Sequence, residues 1–254
     1  MTRVLLEICV DSLADARIAA EHGADRLELN VALESGGLTP TPGLVASVRQ
    51  ALIGKGREIP LISMLRPRAG DFVYRSDEHE VMQADLERLL EMGVDGVALG
   101  VLTAQGAINV ARCRDLLRRM PGAEAVFHRA FDFVVDPARA LEQLIDLGFR
   151  RVLTSGQAAS AIEGAALIAR LIEQSRGRIE ILPGAGVRAG NVAQLVERTG
   201  CDQVHGSLKP RQKQAEIEGS KAVDPLSGEA PSQLDPQAVR EMRARLDTLN
   251  PKAR

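Results

Sequence analysis

The chain has 254 residues, 45% of them hydrophobic, and a formal net charge of −2 from 32 basic and 34 acidic side chains. This length suits one barrel domain and allows a large core without disulfides or metals. Nucleic acid is disfavoured as a partner. No excess of basic residues is available to neutralise phosphates. Aromatic side chains on which nucleic-acid bases could stack are few, with one Tyr, five Phe and no Trp.

Eight short β-like runs alternate with helix-like stretches along the chain. The predicted strands are Leu5–Val10, Arg26–Leu29, Leu61–Leu65, Gly96–Leu99, Ala125–Phe127, Arg151–Leu153, Ile179–Leu182 and Gln203–His205. The predicted helices are Leu13–His22, Pro42–Leu52, Glu78–Met92, Val110–Met120, Pro137–Leu147, Ala159–Gln174, Gly190–Arg198 and Asp235–Leu249. Such alternation is typical of a parallel sheet with crossover helices. We predict an α/β fold, a (β/α)8 TIM barrel that forms a single domain over residues 1–254.

An open, doubly wound sheet is the alternative architecture. It usually carries a glycine-rich dinucleotide turn after its first strand, whereas Val10 is followed here by Asp11 and Ser12. Four helical stretches end at glycines that suit left-handed caps before the next strand. These glycines are Gly23, Gly93, Gly148 and Gly200.

The chain offers no pattern of secretion or membrane insertion. Its first apolar run, Val4–Val10, is too short for a signal-peptide core or a membrane span. Cys9, Cys113 and Cys201 are odd in number and widely spaced, which does not suggest a disulfide framework. We expect a cytoplasmic protein without a membrane partner.

A polar stretch over about 208–234, after the last predicted strand, is far longer than ordinary βα loops. It has few apolar anchors, which favours a partly disordered insertion. A lid or an arm that contacts a partner is the other interpretation.

Polar side chains gather at the carboxyl ends of the predicted strands, where barrels of this type carry their sites. Glu7 and Cys9 share one face of the first strand, and Glu28 and Asn30 share one face of the second. Buried carboxylates need cationic partners, and the candidates are Arg66, Arg68, His128 and Arg129. A salt-bridged polar plug without chemistry remains the alternative.

Two histidines, His128 and His205, lie at strand ends, where they could transfer protons or bind a metal. His22 and His79 lie near predicted helix ends and suit surface or capping roles. The turns that contain Ser155, Gly156, Gly184 and Gly186 could bring backbone N–H groups close to an anion. Such turns also occur simply to pack a short loop.

Eight stretches, in order along the chain, resemble the CutC family. They are Leu6–Cys9, Gly23–Leu29, Gly36–Pro40, Leu65–Tyr74, Phe127–Asp132, Arg151–Gly156, Gly184–Val187 and Val204–His205. The resemblance implies a cytoplasmic barrel, a homo-oligomer, and a role in copper homeostasis with a bound copper ion. Many family members have a cysteine at the end of the second strand, where this sequence has Asn30.

Two functional hypotheses follow, and a third concerns assembly. In the first, a copper ion is the ligand, and Cys9, His128 and His205 are its candidate ligands. In the second, the chain is an enzyme acting on a small anionic or phosphorylated metabolite. Arg66, Arg68 and Arg129 would then bind the anion, and Glu7, Glu28, His128 and Asp132 are the candidate catalytic residues. In the third, the stretch 208–234 binds a partner protein.

Overall fold

The computed structural model describes residues 3–53, 58–209 and 233–249. The strands are Leu5–Val10 (β1), Arg26–Leu29 (β2), Leu61–Met64 (β3), Gly96–Leu99 (β4), Glu124–Phe127 (β5), Arg151–Thr154 (β6), Glu180–Pro183 (β7) and Gln203–Gly206 (β8). The helices are Leu13–His22 (α1), Pro42–Leu52 (α2), Ser76–Glu91 (α3), Val110–Arg118 (α4), Pro137–Leu147 (α5), Ala165–Ser175 (α6), Val192–Thr199 (α7) and Pro236–Asp247 (α8).

All strand pairs in the sheet are parallel, and the strand order is β7-β6-β5-β4-β3-β2-β1-β8. The two end strands, β7 and β8, lie side by side, which makes the sheet a nearly closed barrel. This arrangement confirms the predicted (β/α)8 TIM barrel. Within the described residues, no backbone ladder joins β7 to β8, and no helix is long and apolar enough to cross a membrane.

Local sequence signals explain where most helices start and stop. Side-chain oxygens of Ser12, Thr41, Asn109 and Asp136 accept backbone N–H groups in the first turns of α1, α2, α4 and α5. Proline at the start of α2, α5 and α8 suits a position whose N–H has no helical partner. The predicted glycine stops all have positive φ, from 70° to 121°, as left-handed caps require.

Helix α6 differs from the prediction, because it begins at Ala165 and not at Ala159. The preceding turn crosses over the end of β6, where Gly156 and Gly164 meet backbone to backbone. A Cβ on Gly164 would lie 1.9 Å from the Ser155 carbonyl oxygen. This close approach holds residues 159–164 in a turn, and the helix can start only after it.

The interior of the barrel divides into an apolar part and a polar part. The apolar cluster comes from β3, β4 and β5 and consists of Ile62, Met64, Ala98 and Val126. The remaining strands direct charged and polar side chains inward. These include Glu7, Arg26, Glu28, Arg151, Gln203 and His205, all buried. The larger hydrophobic core lies outside this interior and includes the helix residues Val45, Leu86 and Leu144.

The polar stretch predicted over about 208–234 lies mostly outside the described residues. Its two described ends converge on α1. The Lys209 ammonium lies 2.8 Å from a carboxylate oxygen of Asp15, and the backbone N–H of Leu234 donates to the same carboxylate at 2.8 Å. Asp15 is 1% exposed, so these contacts fix both ends of the stretch beside the mouth of the barrel.

Candidate functional site

A cavity of about 200 Å³ opens at the carboxyl ends of the strands. Strand ends or the loops after them supply its polar lining, which includes Cys9, Glu28, Asn30, Arg66, His128, Arg129, Arg188 and His205. Apolar side chains, among them Leu33, Met64, Phe72 and Leu153, complete the wall. The mixture of an apolar wall with a few convergent polar groups is typical of small-ligand sites.

Cys9, Glu28 and His205 form a compact group at the floor of this cavity. Each offers one ligand atom, and these atoms all lie within 4.8 Å of one another. The register of the sheet explains the group, since Cys9 on β1 lies opposite Glu28 on β2, and Glu7 on β1 lies opposite His205 on β8. All three side chains are buried, and they could hold one metal ion.

Asn30 completes the surroundings of Cys9. Its Nδ2 donates to the Cys9 sulfur at 2.8 Å, and it lies 3.4 Å from Glu28 Oε1. The thiol of Cys9 lies 3.5 Å from the same Glu28 oxygen. The amide therefore occupies the position at which the resemblance implies a second cysteine.

A second layer of charges orients His205. Its Nδ1 donates to Glu7 Oε1 at 2.7 Å, so that the opposite ring nitrogen, Nε2, is the one available to a ligand. Glu7 also pairs with Arg26. The sequence suggested other partners for Glu7, namely Arg66, Arg68, His128 and Arg129, and this was wrong. Arg26 faces Glu7 because the register places them opposite each other.

Burial and charge shift the pKa values of this group. Burial and the carboxylate of Glu28 raise the pKa of the Cys9 thiol well above its usual range. Burial also raises the pKa of Glu28. Burial alone would lower the pKa of His205, but Glu28 and Glu7 raise it. Protons are therefore held tightly here, and a metal would have to displace them.

His128 lies across the cavity as a neutral imidazole. Burial and the nearby Arg66 lower its pKa to about 3. The backbone N–H of Ala130 donates to its Nδ1 at 3.2 Å, and the neutral ring therefore carries its proton on Nε2. That Nε2 has no hydrogen-bond partner among the described residues. His128 lines the same cavity as the compact group, but that group does not include it.

The three arginines of the anion hypothesis occupy different positions. Arg66 lines the cavity and donates to the carbonyl oxygens of Ser35, Gly37 and Gly70 at 2.8–3.1 Å. No carboxylate pairs with it in the described part of the chain. Arg68, in contrast, donates to Glu78 at 2.6 Å and to Asp71 at 2.9 Å and is not part of the cavity lining.

Arg129 reaches the rim of the cavity, where it pairs with Asp132 at 2.8 Å. Asp132 also accepts hydrogen bonds from Thr154, Ser155 and Gln157. This carboxylate therefore joins the turn after β5 to the loop after β6. It orients Arg129 and makes no described contact with His128.

Of the two glycine-rich turns, only the one after β7 contributes to the lining of the cavity. The N–H of Gly156 donates to Thr154 Oγ1 at 2.9 Å, and neither Ser155 nor Gly156 lines the cavity. Gly184 lies against Leu153 and His205, where a Cβ would approach Leu153 to 2.6 Å. Gly186 does line the cavity, beside Ala185, whose φ of 78° is rare for a residue with a side chain.

Arg188 and Leu33 are among the lining residues that were not predicted as site residues from the sequence. Arg188 follows the Pro183–Val187 turn directly, and its position after the seventh strand was a usable signal. Leu33 belongs to a short 3₁₀ helix, Leu33–Ser35, that follows β2. Nothing in its local pattern distinguishes it from an ordinary loop residue.

The fold and this cavity define a (β/α)8-barrel protein with a polar-lined cavity at its carboxyl mouth. Comparison with known proteins makes the assignment specific. The model of the CutC family matches residues 4–210, and the chain belongs to that family. It is 45% identical over 205 residues to the human copper homeostasis protein cutC homolog, and the match covers 81% of this chain and 73% of the human protein.

Two further relatives agree. A CutC family protein from Treponema denticola is 40% identical over 223 residues, which are 88% of this chain and 89% of the relative. The solved structure of a CutC protein from Streptococcus agalactiae matches with a TM-score of 0.76 at 36% identity. That match covers 80% of this chain and 98% of the solved chain.

Proposed function

We propose that this protein serves copper homeostasis by binding one copper ion through Cys9, Glu28 and His205. The observation that carries the proposal is the convergence of three ligand atoms within 4.8 Å on buried side chains. The sequence alone suggested Cys9, His128 and His205 as ligands. The geometry favours Glu28 in place of His128, since His128 does not belong to the compact group.

The donor set suits copper in part. Thiolate and imidazole are ligands that copper accepts, and Cu(I) prefers sulfur. The thioether residue Met64 lines the same cavity, whereas Cys113 and Cys201 are buried elsewhere, in α4 and in the turn before β8. Cys9 is one sulfur ligand, and burial keeps its thiol protonated, so it gives weaker binding than a pair of cysteines would.

The hydrogen bond from His205 to Glu7 supports the proposal independently. Histidines that bind metals usually donate their second ring N–H to a carboxylate, which fixes the tautomer and the ring orientation. Glu7 is ionised here, because Arg26 and His205 lower its pKa although burial alone would raise it. The carboxylate thus holds the ring with Nε2 towards the ligand group.

The test is a competition titration of the reduced protein with Cu(I) against a chromogenic chelator. We expect one equivalent of copper on the protein, lost in Cys9→Ala and retained in Cys113→Ala, which removes an equally buried thiol away from the site. Asn30→Cys should bind copper at least tenfold more tightly, because it supplies a second thiolate next to Cys9. Equal binding by the wild type and Cys9→Ala would contradict the proposal.

A second candidate function is an enzyme that acts on a small anionic metabolite in the same cavity. The observation that favours it is the charge of the wall, where three arginines, Arg66, Arg129 and Arg188, face a single carboxylate, Glu28, among the described lining residues. Arginine is well suited to carboxylates and phosphates. Turnover in a screen of carboxylated and phosphorylated metabolites, abolished in Glu28→Gln, would support it, and retained turnover in that variant would count against it.

Family membership also supports two properties of the whole protein. We infer that it is cytoplasmic and that it forms a homo-oligomer, as the resemblance implies. Any contribution of the stretch 208–234 to a partner contact lies mostly outside the described residues.

A further inference from the structure

Four buried side-chain atoms around the cavity lack a hydrogen-bond partner among the described residues. They are Glu28 Oε2, Asn30 Oδ1, Arg66 Nε and His128 Nε2, and all four residues line the cavity. The residues are only 2%, 1%, 5% and 2% exposed. A buried polar atom without a partner is destabilising. Four such atoms around one cavity therefore point to a ligand that pairs with them.

The four atoms differ in what they can pair with. Asn30 uses its Nδ2 group on Cys9 and Glu28, so its Oδ1 can only accept. Glu28 Oε2 is a carboxyl oxygen that accepts in the ionised state. His128 Nε2 carries the ring proton, because Nδ1 already accepts the N–H of Ala130. Arg66 Nε can only donate. The cavity thus presents Asn30 Oδ1, and Glu28 Oε2 when it is ionised, as acceptors, and the N–H groups of Arg66 Nε and His128 Nε2 as donors.

The charge of the wall adds a second requirement. Arg66 donates to backbone carbonyl groups, and no carboxylate neutralises it among the described contacts. Arg188 and Arg129, the second of which pairs with Asp132, lie on the same wall. In the loop after β7, Ala185 holds a positive φ of 78°, a strain of the kind that accumulates at functional sites. The arginine-lined wall favours a negatively charged group.

We propose that the cavity binds a small hydroxy acid. Its carboxylate would pair with the arginine wall and with His128 Nε2–H, and its hydroxyl would donate to Asn30 Oδ1 or Glu28 Oε2. A volume of about 200 Å³ accommodates a compound of three or four carbons. This inference deepens the second candidate function and rests on it for the location of the ligand, but it requires neither copper nor turnover.

The site also explains why a hydroxyl should matter. A ligand without one would leave Asn30 Oδ1 and Glu28 Oε2 buried and unpaired, and sites built to pair with a hydroxyl reject analogues that lack it. Selectivity for the hydroxyl, and not affinity for an anion alone, is therefore the property to measure.

The experiment is isothermal titration of metal-free, chelator-treated protein with two pairs of acids that differ by one hydroxyl, lactate with propionate and malate with succinate. We expect at least one hydroxy acid to bind at least tenfold more tightly than its partner. Asn30→Ala should reduce that preference, and His128→Asn, which keeps an acceptor for the Ala130 N–H, should weaken binding of the hydroxy acid. His79→Asn, at a histidine that contacts Asp115 on the outer face, is the matched control and should bind as the wild type does.

The outcomes separate the proposals. Equal binding within each pair would overturn the hydroxyl inference and leave the anion site standing. Failure of both hydroxy acids to bind would overturn the inference as well. A preference that Asn30→Ala leaves intact would show that the hydroxyl pairs elsewhere and would also overturn it. None of these results bears on the copper titration, which has its own readout.

Discussion

His128 illustrates how a single residue can acquire an unusual property from its place in the barrel. The ring packs beside Phe72 and Phe127, with centroids 5.1 and 6.2 Å away. The α-carbon of Gly100 also lies close, since a Cβ there would come within 2.6 Å of the ring. This packing shields the ring from solvent, and the pKa of His128 falls to about 3 through burial and the charge of Arg66.

A pH dependence of stability follows from that shift. The pKa of His128 is about 3 in the folded protein against an ordinary value of 6.5, so below pH 6.5 the unfolded chain binds more protons. The stabilising contribution is present above pH 6.5 and is lost as the pH falls towards 3. Between pH 8 and pH 5 we expect the wild type to lose about 2 kcal/mol more than His128→Asn.

Urea unfolding of both proteins at several pH values between 5 and 8 provides the measurement. The two proteins share their carboxylates, so the difference between their slopes of unfolding free energy against pH reports on His128 alone. The absolute stability of the variant does not affect this comparison. Equal pH dependence of the free energy of unfolding in the two proteins would show that the pKa of His128 is not lowered in the folded state. The assignment of a neutral His128 ring at the cavity would then be wrong.

At the scale of elements, the turn after β5 is attached to the loop after β6 through one carboxylate. Asp132, whose side chain is 5% exposed, pairs with Arg129 and accepts from Thr154, Ser155 and Gln157. Replacement of Asp132 by Ala removes the acceptor that all these donors share. We expect Asp132→Ala to lower the free energy of unfolding by about 3 kcal/mol, because the buried donors of Thr154 and Ser155 lose the acceptor that they share.

Chemical denaturation measures this loss of stability, and a variant at a second aspartate, Asp136, is the control. The carboxylate of Asp136 accepts only the Arg139 N–H in the first turn of α5 among the described contacts, so Asp136→Ala should cost about 1 kcal/mol. If the two variants were equally stable, the contacts of Asp132 would contribute no more to stability than those of a helix cap. The catalytic role that the sequence suggested for Asp132 would then be the better explanation of its position.

Glycine and proline residues at their ends made many helices and strands predictable. The bounds of β2, β4, α1, α2 and α5 agree with those predicted from the sequence, because glycine and proline mark many of their ends. The start of α6 was not predictable, since it depends on contact between Gly156 and Gly164 across a loop. The partners of Arg68 were hidden for a similar reason, as Glu78 lies in the following helix.

The cavity lining was predictable in part from the sequence, but the pairings of its residues were not. Alternation along the strands correctly placed Glu7, Cys9 and Glu28 inside the barrel. Register decides which of them meet, and local sequence patterns do not reveal it. Glu7 lies opposite Arg26, and Cys9 lies opposite Glu28. A shift of two residues would have kept every side chain on its face and exchanged these partners.

For the whole molecule, the two end strands of the sheet are joined along one seam by side-chain hydrogen bonds. Strands β7 and β8 share no backbone ladder in the described chain. Gln203 on β8 spans the seam instead, since its Nε2 donates to Glu180 on β7 at 3.2 Å. Its Oε1 accepts from Arg26 at 2.8 Å and from Arg151 at 3.1 Å. One buried amide thus connects strands from both ends of the sheet.

Removal of that amide should loosen the seam more than the rest of the fold. Gln203→Met keeps the length of the side chain but leaves two arginine N–H groups and one carboxylate oxygen with fewer partners. We expect a loss of about 2 kcal/mol in the free energy of unfolding and faster hydrogen exchange of backbone amides in β7 and β8 than in β3 and β4. Gln174→Met, at a glutamine that bonds Ala138 and Glu142 on the outer surface, should change both quantities little. Uniformly faster exchange in all strands would mean that the barrel opens as one unit, and that Gln203 stabilises the core without serving the seam in particular.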